Sequence, residues 1–160
     1  MVDAVQFQRE AEALLPALYR ISYGILRARQ DAEDAVQQAL LKAWAGKHRA
    51  AQEAFRAWLT RIVINESRNI QRHRMRVVPS DTLPEGSSPA FDAPDLDVME
   101  AVYRLPERLR VPFLMKYAAE YKEREIAQAT RLPLSTVKNR LARARQLLRD
   151  DLSDQEVSFP

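Results

Sequence analysis

Apolar residues recur at intervals of three and four along most of this chain, a spacing that predicts helices rather than strands. The clearest example runs from Leu134 to Arg149, where one apolar stripe consists of Leu134, Val137, Leu141, Ala144 and Leu148. The preceding segment, EREIAQATRLP, predicts a short helix and a tight turn, with Ile126 and Ala129 facing inward. A short helix, a turn and a second, basic helix form the pattern of a DNA-reading helix-turn-helix.

The polar side of this last helix is strongly basic, and no acidic residue interrupts it. Its cations are Lys138, Arg140, Arg143, Arg145 and Arg149, and its first turns also carry Ser135, Thr136 and Asn139. An ordinary bundle helix with a solvated cationic face explains the same pattern, since runs of like charge are most often exposed surface. The rest of the chain has to decide between these two interpretations.

In the N-terminal half, the apolar spacing predicts helices over residues 3–14, 17–27, 31–44 and 54–76. Pro16 fits a helix interior poorly, so we expect a break or kink between the first two. Asp31 is a good N-cap for the third helix. The side chains expected to face inward are Val5, Ala11, Leu14, Leu18, Ile21, Ile25, Val36, Ala39, Leu40, Ala43, Trp44, Phe55, Trp58, Leu59, Ile62 and Ile70.

The third predicted helix leaves a strip of residues exposed, which could dock a protein partner: Asp34, Gln37, Gln38, Leu41 and Lys42. Three carboxylates cluster at its start, but no histidine and no glycine-rich loop accompany them. Helix capping and the helix dipole therefore explain these acids better than acid–base or metal chemistry.

The fourth predicted helix has a basic C-terminal half, which carries Arg61, Arg68, Arg72, Arg74 and Arg76. Like charges at neighbouring helix positions cost stability unless an anion offsets them. Trp58 on the same helix is interpreted as a core residue in preference to a base-stacking platform. The arginine density is the stronger indication of an anionic partner.

Residues 77–98 contain four prolines, three serines and Gly86, without a helical period. We interpret this stretch as a flexible linker that marks a domain boundary. Helical spacing returns at Met99, with a break at Pro106 and a helix seated by Val111, Leu114 and Met115. Two small lobes on such a tether are expected to have no fixed relative orientation in solution.

Charge divides the chain into blocks that agree with this boundary. Residues 1–78 carry 13 Lys+Arg against 8 Asp+Glu, residues 79–102 carry six acids and no base, and residues 103–149 carry 12 bases against four acids. Two basic lobes joined by an acidic tether indicate a polyanion that is bound at two places.

Composition narrows the class further. The 160 residues include three glycines and no cysteine, which favours an all-helical protein without disulfides or a thiolate metal site. His48 and His73 have no acidic companions at ligand spacing, so no metal or cofactor is expected. No apolar run approaches the roughly 18 residues that span a bilayer, and no signal peptide opens the chain. We expect a cytoplasmic protein of bacterial type.

Two blocks of this sequence resemble a known family. DAEDAVQQALLKAW followed by FRAWLTRIVIN is similar to region two of an ECF (extracytoplasmic function) group sigma factor. LPERLRVPFLMKY followed by EREIAQATRLPLSTVKNRLARARQLLR is similar to region four. The resemblance covers about residues 5–150, although Gln38 and Leu40 replace a usual acid and phenylalanine, and Glu120 and Arg131 stand at turn positions where glycine is common.

The resemblance implies a fold of two small helical domains: region two over residues 1–76, a flexible acidic linker over 77–98, region four over 99–152 and a tail over 153–160. It implies that the chain binds the β′ clamp helices and the β flap of core RNA polymerase, and that an anti-sigma protein controls it. The clamp-docking residues would be Asp34, Gln37, Gln38, Leu41 and Lys42. The −10 element would meet Lys47, His48, Arg49, Trp58, Arg61, Asn65, Arg68 and Arg72, and the −35 element Ser135, Thr136, Lys138, Asn139, Arg140, Ala142 and Arg143.

Three classes of function therefore compete. The first is a promoter-specificity subunit of bacterial RNA polymerase that has no catalytic activity. The second is a stand-alone helix-turn-helix transcriptional regulator, which would leave residues 31–76 unexplained. The third is an enzyme that acts on nucleic acid, but the sequence has no phosphate-cradling loop, metal-ligand cluster or nucleophile–base pair at a recognisable spacing.

Overall fold

A computed structural model describes residues 2–50, 54–77 and 96–157, and these residues form helices without any strand. The predicted all-α class is thus confirmed for the described part of the chain. Its elements are α1 (Ala4–Leu26), α2 (Arg29–Ala45), a 3₁₀ turn (Lys47–Arg49), α3 (Phe55–Val77), α4 (Leu96–Arg104), α5 (Glu107–Tyr117), α6 (Glu123–Thr130) and α7 (Leu134–Val157). None of these helices is long and apolar enough to cross a bilayer. Most of the predicted linker, residues 78–95, lies outside the described residues.

Helices α1, α2 and α3 pack on one another and form the N-terminal lobe (residues 2–77). Its core is one cluster of apolar side chains, which includes Phe7, Ala11, Leu18, Val36, Ala39, Ala43, Leu59 and Val63. The hydroxyls of Ser22 and Ser67 lie 2.8 Å apart inside the same lobe, so these two buried polar groups satisfy each other.

Helices α4 to α7 form the C-terminal lobe (residues 96–157), in which α5, α6 and α7 pack on one another. The predicted break at Pro106 is confirmed, since α4 ends at Arg104 and α5 begins at Glu107. The three residues predicted to seat α5, Val111, Leu114 and Met115, are all buried.

The two lobes pack directly against each other. Helix α1 contacts α5, and α3 contacts α6. One apolar cluster crosses the boundary between the lobes, and it includes Ile21, Ile25, Ile64, Met115 and Ile126, each exposed by 2% or less. This arrangement differs from the expectation of lobes without a fixed relative orientation. The reason is that α1 is buried on every side from Ile21 to Leu26, so its far face needs a second layer of helices.

Several local predictions were wrong. Of the break or kink expected at Pro16, the break is wrong, because α1 is one continuous helix through this residue. Asp31 is not the N-cap of α2, because α2 begins at Arg29 and the Asp31 carboxylate pairs with Arg74 of α3 at 2.8 Å. Val5 and Trp44, both predicted to face inward, are 74% and 44% exposed.

Helix α7 is longer than the apolar stripe indicated. It continues past Arg149 to Val157, where no glycine or proline stops it. Arg104 of α4 donates two hydrogen bonds to the Asp151 carboxylate, and this ion pair ties the extension to the lobe.

Candidate functional site

The helix-turn-helix has the predicted geometry. Ile126 and Ala129 of α6 are buried, and the chain then turns at Arg131, which has a left-handed conformation with φ of 57°. Glu120 also has a positive φ, of 60°. Such angles are uncommon outside glycine, and here they allow the sharp change of direction between consecutive helices. Helix α7 starts three residues after Arg131.

Helix α7 presents a polar face to solvent. The apolar stripe of this helix is buried except for Leu134, which is half-buried. Of the residues predicted to meet the −35 element, Thr136 and Arg140 are half-buried. The others are exposed and share one side of the helix: Ser135, Lys138, Asn139, Ala142 and Arg143.

The cations on this face are not neutralised inside the protein. Within the described residues, Lys138, Arg140 and Arg143 make no hydrogen bond or ion pair, whereas Arg145 donates to the Tyr117 hydroxyl at 3.1 Å. Glu123 of α6 senses these cations: its pKa is lowered, chiefly by a hydrogen bond from Lys116 and further by the charges of Lys116, Lys138 and Arg145. A surface with uncompensated Lys and Arg beside Asn, Ser and Thr suits phosphates and base edges.

The predicted −10 residues divide into two groups. Lys47, His48 and Arg49 form the short 3₁₀ turn, where the Lys47 ammonium lies 4.0 Å above the Trp44 ring. The rest of that predicted loop, residues 51–53, lies outside the described residues. Trp58 is half-buried and packs against the core of the N-terminal lobe, which agrees with its interpretation as a core residue.

The remaining members of the −10 set lie along α3. Asn65, Arg68 and Arg72 are exposed, and Arg61 is half-buried. Arg61 donates a hydrogen bond to the carbonyl of Gln128, and Arg68 lies 3.8 Å from the Glu107 carboxylate. Both partners belong to the C-terminal lobe. Burial lowers the pKa of Arg61, and the neighbouring charge of Arg131 lowers it further.

The strip predicted to dock a partner is exposed on α2. Asp34, Gln37, Gln38 and Lys42 reach solvent, Leu41 is 65% exposed, and the Lys42 ammonium pairs with Glu66. The sequence did not reveal that this strip borders a largely apolar groove of about 580 Å³. Helix α1 supplies its other wall, and the apolar lining residues are Phe7, Ala11, Leu15, Leu40, Leu41 and Trp44. The exposed Leu15, Leu41 and Trp44 are the signal that marks this surface.

Two family models match the chain in succession. Residues 11–77 match the family described as Sigma-70 region 2, and residues 95–148 match Sigma-70, region 4. The first match covers α2, α3 and most of α1, and the second covers α4 to α6 and most of α7.

Related proteins carry the same kind of name. The chain is 28% identical to the RNA polymerase sigma factor SigV of Bacillus subtilis over 146 residues, which is 88% of this chain and 87% of SigV. It is 31% identical to the ECF RNA polymerase sigma factor SigM of Mycobacterium tuberculosis over 140 residues, which is 82% of this chain and 69% of SigM.

Solved structures share the arrangement of helices. The sigma factor RpoE of Bartonella quintana, in its complex with the anti-sigma factor NepR, superposes with a TM-score of 0.80 at 27% identity, over 92% of this chain and 96% of that one. CnrH, in complex with the cytosolic domain of CnrY, superposes with a TM-score of 0.70 over 95% of this chain and 90% of that one. At 20% sequence identity, this match shows a shared fold.

Proposed function

This chain belongs to the ECF group of the sigma-70 family of RNA polymerase sigma factors, and we propose that it directs promoter-specific initiation by binding core polymerase and both promoter elements. The observation that carries the proposal is the pairing of two basic helices, α3 and α7, on two separate lobes of one chain. A single lobe with one such helix would serve a stand-alone regulator. Two lobes that each match a sigma region are suited to bind two separate promoter elements, one per lobe.

The proposed domains follow the two lobes. Region two corresponds to residues 1–76 and binds core polymerase and the −10 element. Region four corresponds to residues 99–152 and binds the −35 element. Residues 77–98 connect them and residues 153–160 follow as the tail, although α4 already begins at Leu96 and α7 continues to Val157.

The −35 element is read by the exposed face of α7. Arg143 and Lys138 suit guanine edges and Asn139 suits adenine, while Ser135 and Thr136, in the first turn, suit backbone phosphates. Arg140 is half-buried on the flank of this face. The lack of internal partners for Lys138, Arg140 and Arg143 among the described residues supports this assignment.

The −10 element is bound by the 3₁₀ turn and the exposed side of α3. Arg61, Asn65, Arg68 and Arg72 recur along one side of that helix, and Lys47, His48 and Arg49 extend the basic surface. Opened DNA strands are held by basic grooves together with stacking faces. Trp58 contributes support from beneath rather than a free stacking face, since it packs into the core.

Core polymerase binds the exposed strip of α2 together with the apolar groove beside it. We assign the β′ clamp helices to this surface and the β flap to region four. Tryptophan is enriched among the energetically important residues of interfaces, and an exposed leucine beside it adds apolar surface that binding would bury. Leu41 and Trp44 are therefore the anchors, and Asp34, Gln37, Gln38 and Lys42 form the polar rim.

An anti-sigma protein regulates this chain in our proposal. The support is that RpoE of Bartonella quintana and CnrH, whose folds match, were both solved with such a partner or a partner domain. Members of this family are regulatory factors, and we propose that the chain has no catalytic activity and works beside polymerase in the cytoplasm.

A run-off transcription assay tests this function. Core polymerase with the purified chain should produce a transcript from a selected promoter, and core polymerase alone should not. Leu41→Asp should abolish the transcript by preventing assembly, because it places a charge on the docking surface while leaving the lobe core intact. A chain that binds promoter DNA but never supports initiation with core would be a stand-alone regulator.

A further inference from the structure

Arginines of each lobe donate hydrogen bonds to backbone carbonyls at the helix ends of the other lobe. From the N-terminal lobe, Arg20 donates to Ala118 O at 3.0 Å, Arg56 to Ala119 O at 2.9 Å, Arg27 to Tyr103 O at 3.3 Å and Arg61 to Gln128 O. In the opposite direction, Arg110 of α5 donates to Gly24 O at 2.6 Å.

All five acceptors lie in the last turn of a helix or just beyond it. Tyr103, Gln128 and Gly24 lie in the last turns of α4, α6 and α1, and Ala118 and Ala119 follow α5. Carbonyls in the last turn have no partner inside their own helix, and the helix dipole makes this end negative. A guanidinium that reaches such an end from another element supplies both the missing hydrogen bond and the opposite charge.

The boundary around these arginines is closely packed. A Cβ atom at Gly24 would lie 2.3 Å from Leu114 Cδ1, so the glycine allows α5 to approach α1 closely at this point. The Arg56 guanidinium lies 3.8 Å above the Tyr121 ring, and the Tyr121 hydroxyl is 2.6 Å from Thr60 Oγ1 in a buried position. Burial raises the pKa of Tyr121 and keeps its hydroxyl neutral for this hydrogen bond.

The closed arrangement conflicts with simultaneous use of both promoter elements. The −10 and −35 elements are about 25 base pairs apart, which is about 85 Å at the rise of B-DNA. A compact chain of this length has a radius of gyration of about 15 Å, so its diameter is only about 40 Å. The 18 residues from 78 to 95 can span at most about 60 Å. Separated lobes on that connection can reach both elements, whereas packed lobes cannot.

We propose that the five arginines Arg20, Arg27, Arg56, Arg61 and Arg110 form a latch that holds the free chain closed, and that promoter engagement requires this latch to open. The inference rests on the proposed function, because the closed state is inactive only if the chain has to bind both promoter elements at once. Arg61 has two uses: in the closed chain it binds the Gln128 carbonyl, and in the open chain it binds DNA. The two lobes carry net charges of the same sign, so closure needs such specific contacts as well as apolar burial.

A two-dye distance measurement tests the latch. The chain has no cysteine, so Ala45→Cys and Ser153→Cys place one label on each lobe at exposed positions. The latch variant combines Arg20→Gln with Arg110→Gln, one residue from each lobe and neither in the proposed promoter or polymerase surfaces. The matched control combines Arg9→Gln with Arg124→Gln, which removes the same charge from exposed positions of the same two lobes.

The unmodified chain and the control should each give one population with high energy transfer. The latch variant should raise the ratio of separated to closed molecules by about tenfold or more. The reason is that it removes one charged hydrogen-bond donor from each lobe, and both donors bond to carbonyls of the opposite lobe. Circular dichroism should show unchanged helix content. If the latch variant loses helix, Arg20→Gln alone replaces it, because Arg110 also donates to Tyr103 O and Leu105 O within its own lobe, whereas Arg20 donates across the boundary to Ala118 O.

Two results would overturn the latch: an unmodified chain with separated lobes, or a folded latch variant, Arg20→Gln alone included, whose distances equal those of the control. The function is judged separately, by run-off transcription with the unmodified chain. If transcription fails while the latch variant opens, the proposed function is wrong and the latch stands. If transcription succeeds while no variant opens, the function stands and the latch is wrong.

Discussion

Helices α3 and α7 are both basic, and both are assigned to promoter DNA, yet their arginines have different surroundings. Arg56, Arg61 and Arg68 of α3 each contact the C-terminal lobe. Lys138, Arg140 and Arg143 of α7 have no hydrogen bond or ion pair in the described part of the chain. The face of α7 is therefore ready to meet DNA, whereas Arg61 and Arg68 of α3 have to exchange protein partners for DNA first.

This difference shows that the charge of a helix does not by itself define an available binding surface. A guanidinium that is hydrogen-bonded to carbonyls at a helix end loses those hydrogen bonds when it binds DNA. Only the difference in free energy between its contacts to DNA and its contacts to the protein then contributes to DNA binding. An arginine of α7 that has no protein partner in the described part of the chain gives up no such contact, so its whole interaction with DNA contributes to binding. Four changes test this contrast.

Ile126→Ala tests whether the boundary couples the two lobes. Ile126 is fully buried in the cluster shared by both lobes, and such a truncation costs about 2–5 kcal/mol of unfolding free energy. Both tryptophans, Trp44 and Trp58, lie in the N-terminal lobe, so their fluorescence reports that lobe alone. If the lobes unfold together, the melting temperature seen by tryptophan falls although the change is in α6.

The control for this change is Tyr117→Ala, which alters a side chain that is 49% exposed in the same lobe. It should move the tryptophan transition little. A tryptophan transition that is identical in Ile126→Ala and the unmodified chain would mean that the lobes unfold independently.

Arg143→Ala tests the open face of α7. We expect a loss of about 1–3 kcal/mol on the cognate −35 site and a relaxed base preference at one position. Arg149→Ala, further along the same helix, should weaken all sequences about equally. Competition binding with cognate and altered fragments measures both. Equal losses on every fragment for both variants would remove Arg143 from the base-reading set.

Arg61→Ala tests the engaged face of α3. The change removes a contact to DNA and also a contact that holds the lobes closed, so the two effects partly cancel. We expect a net loss of promoter affinity below about 1 kcal/mol, smaller than that for Arg143→Ala. The free chain should at the same time show more separated lobes in the two-dye measurement. A loss as large as that for Arg143→Ala, with unchanged distances, would contradict the contrast between the helices.

Glu123→Gln tests an acid whose pKa is lowered by two cations of α7, Lys138 and Arg145. The lowered pKa of Glu123 means that its stabilising contribution is present at neutral pH and is lost as the pH falls through that value, below the usual range for glutamate. The pair with Lys116 is near the surface, so it is worth only about 0.2–1 kcal/mol. Melting curves at pH 7 and at a pH below the usual range for glutamate should show a slightly smaller acid-induced loss in Glu123→Gln than in the unmodified chain. Glu12→Gln on α1 serves as the control, and an effect equal to that of Glu123→Gln would remove the special role of this acid.

Local patterns in the sequence predicted the elements of the C-terminal lobe well. The spacing of apolar residues within one or two helical turns predicted the inward positions of Ile126 and Ala129 and the buried stripe along α7. A helix-breaking proline predicted the break at Pro106. The exposed set on α7 could be named in advance because the face opposite a buried stripe is exposed by geometry.

Contacts between distant elements account for the errors. Helix α1 continues through Pro16 because burial of Phe7 and Ala11 on one side of the proline, and of Leu18 and Ile21 on the other, offsets a cost of about 3 kcal/mol. Asp31 does not cap α2, because its carboxylate accepts a hydrogen bond from Arg74, which is 43 residues further along the sequence. The exposure of Trp44 depends on how α1 crosses α2 and leaves a groove between them.

The sequence by itself determined the helices, the two basic lobes and the family, because period, charge blocks and motif spacing are properties of short stretches. It also held a clue to closure in the segment ISYGIL, residues 21–26, which is too apolar for a helix with one solvent face. Only the tertiary structure decided which elements cover that segment, and which arginines of α1, α3 and α5 reach the helix ends of the opposite lobe. A guanidinium looks the same in the sequence whether it faces DNA, solvent or a carbonyl, because its role is set by the groups that folding brings within about 3 Å of it.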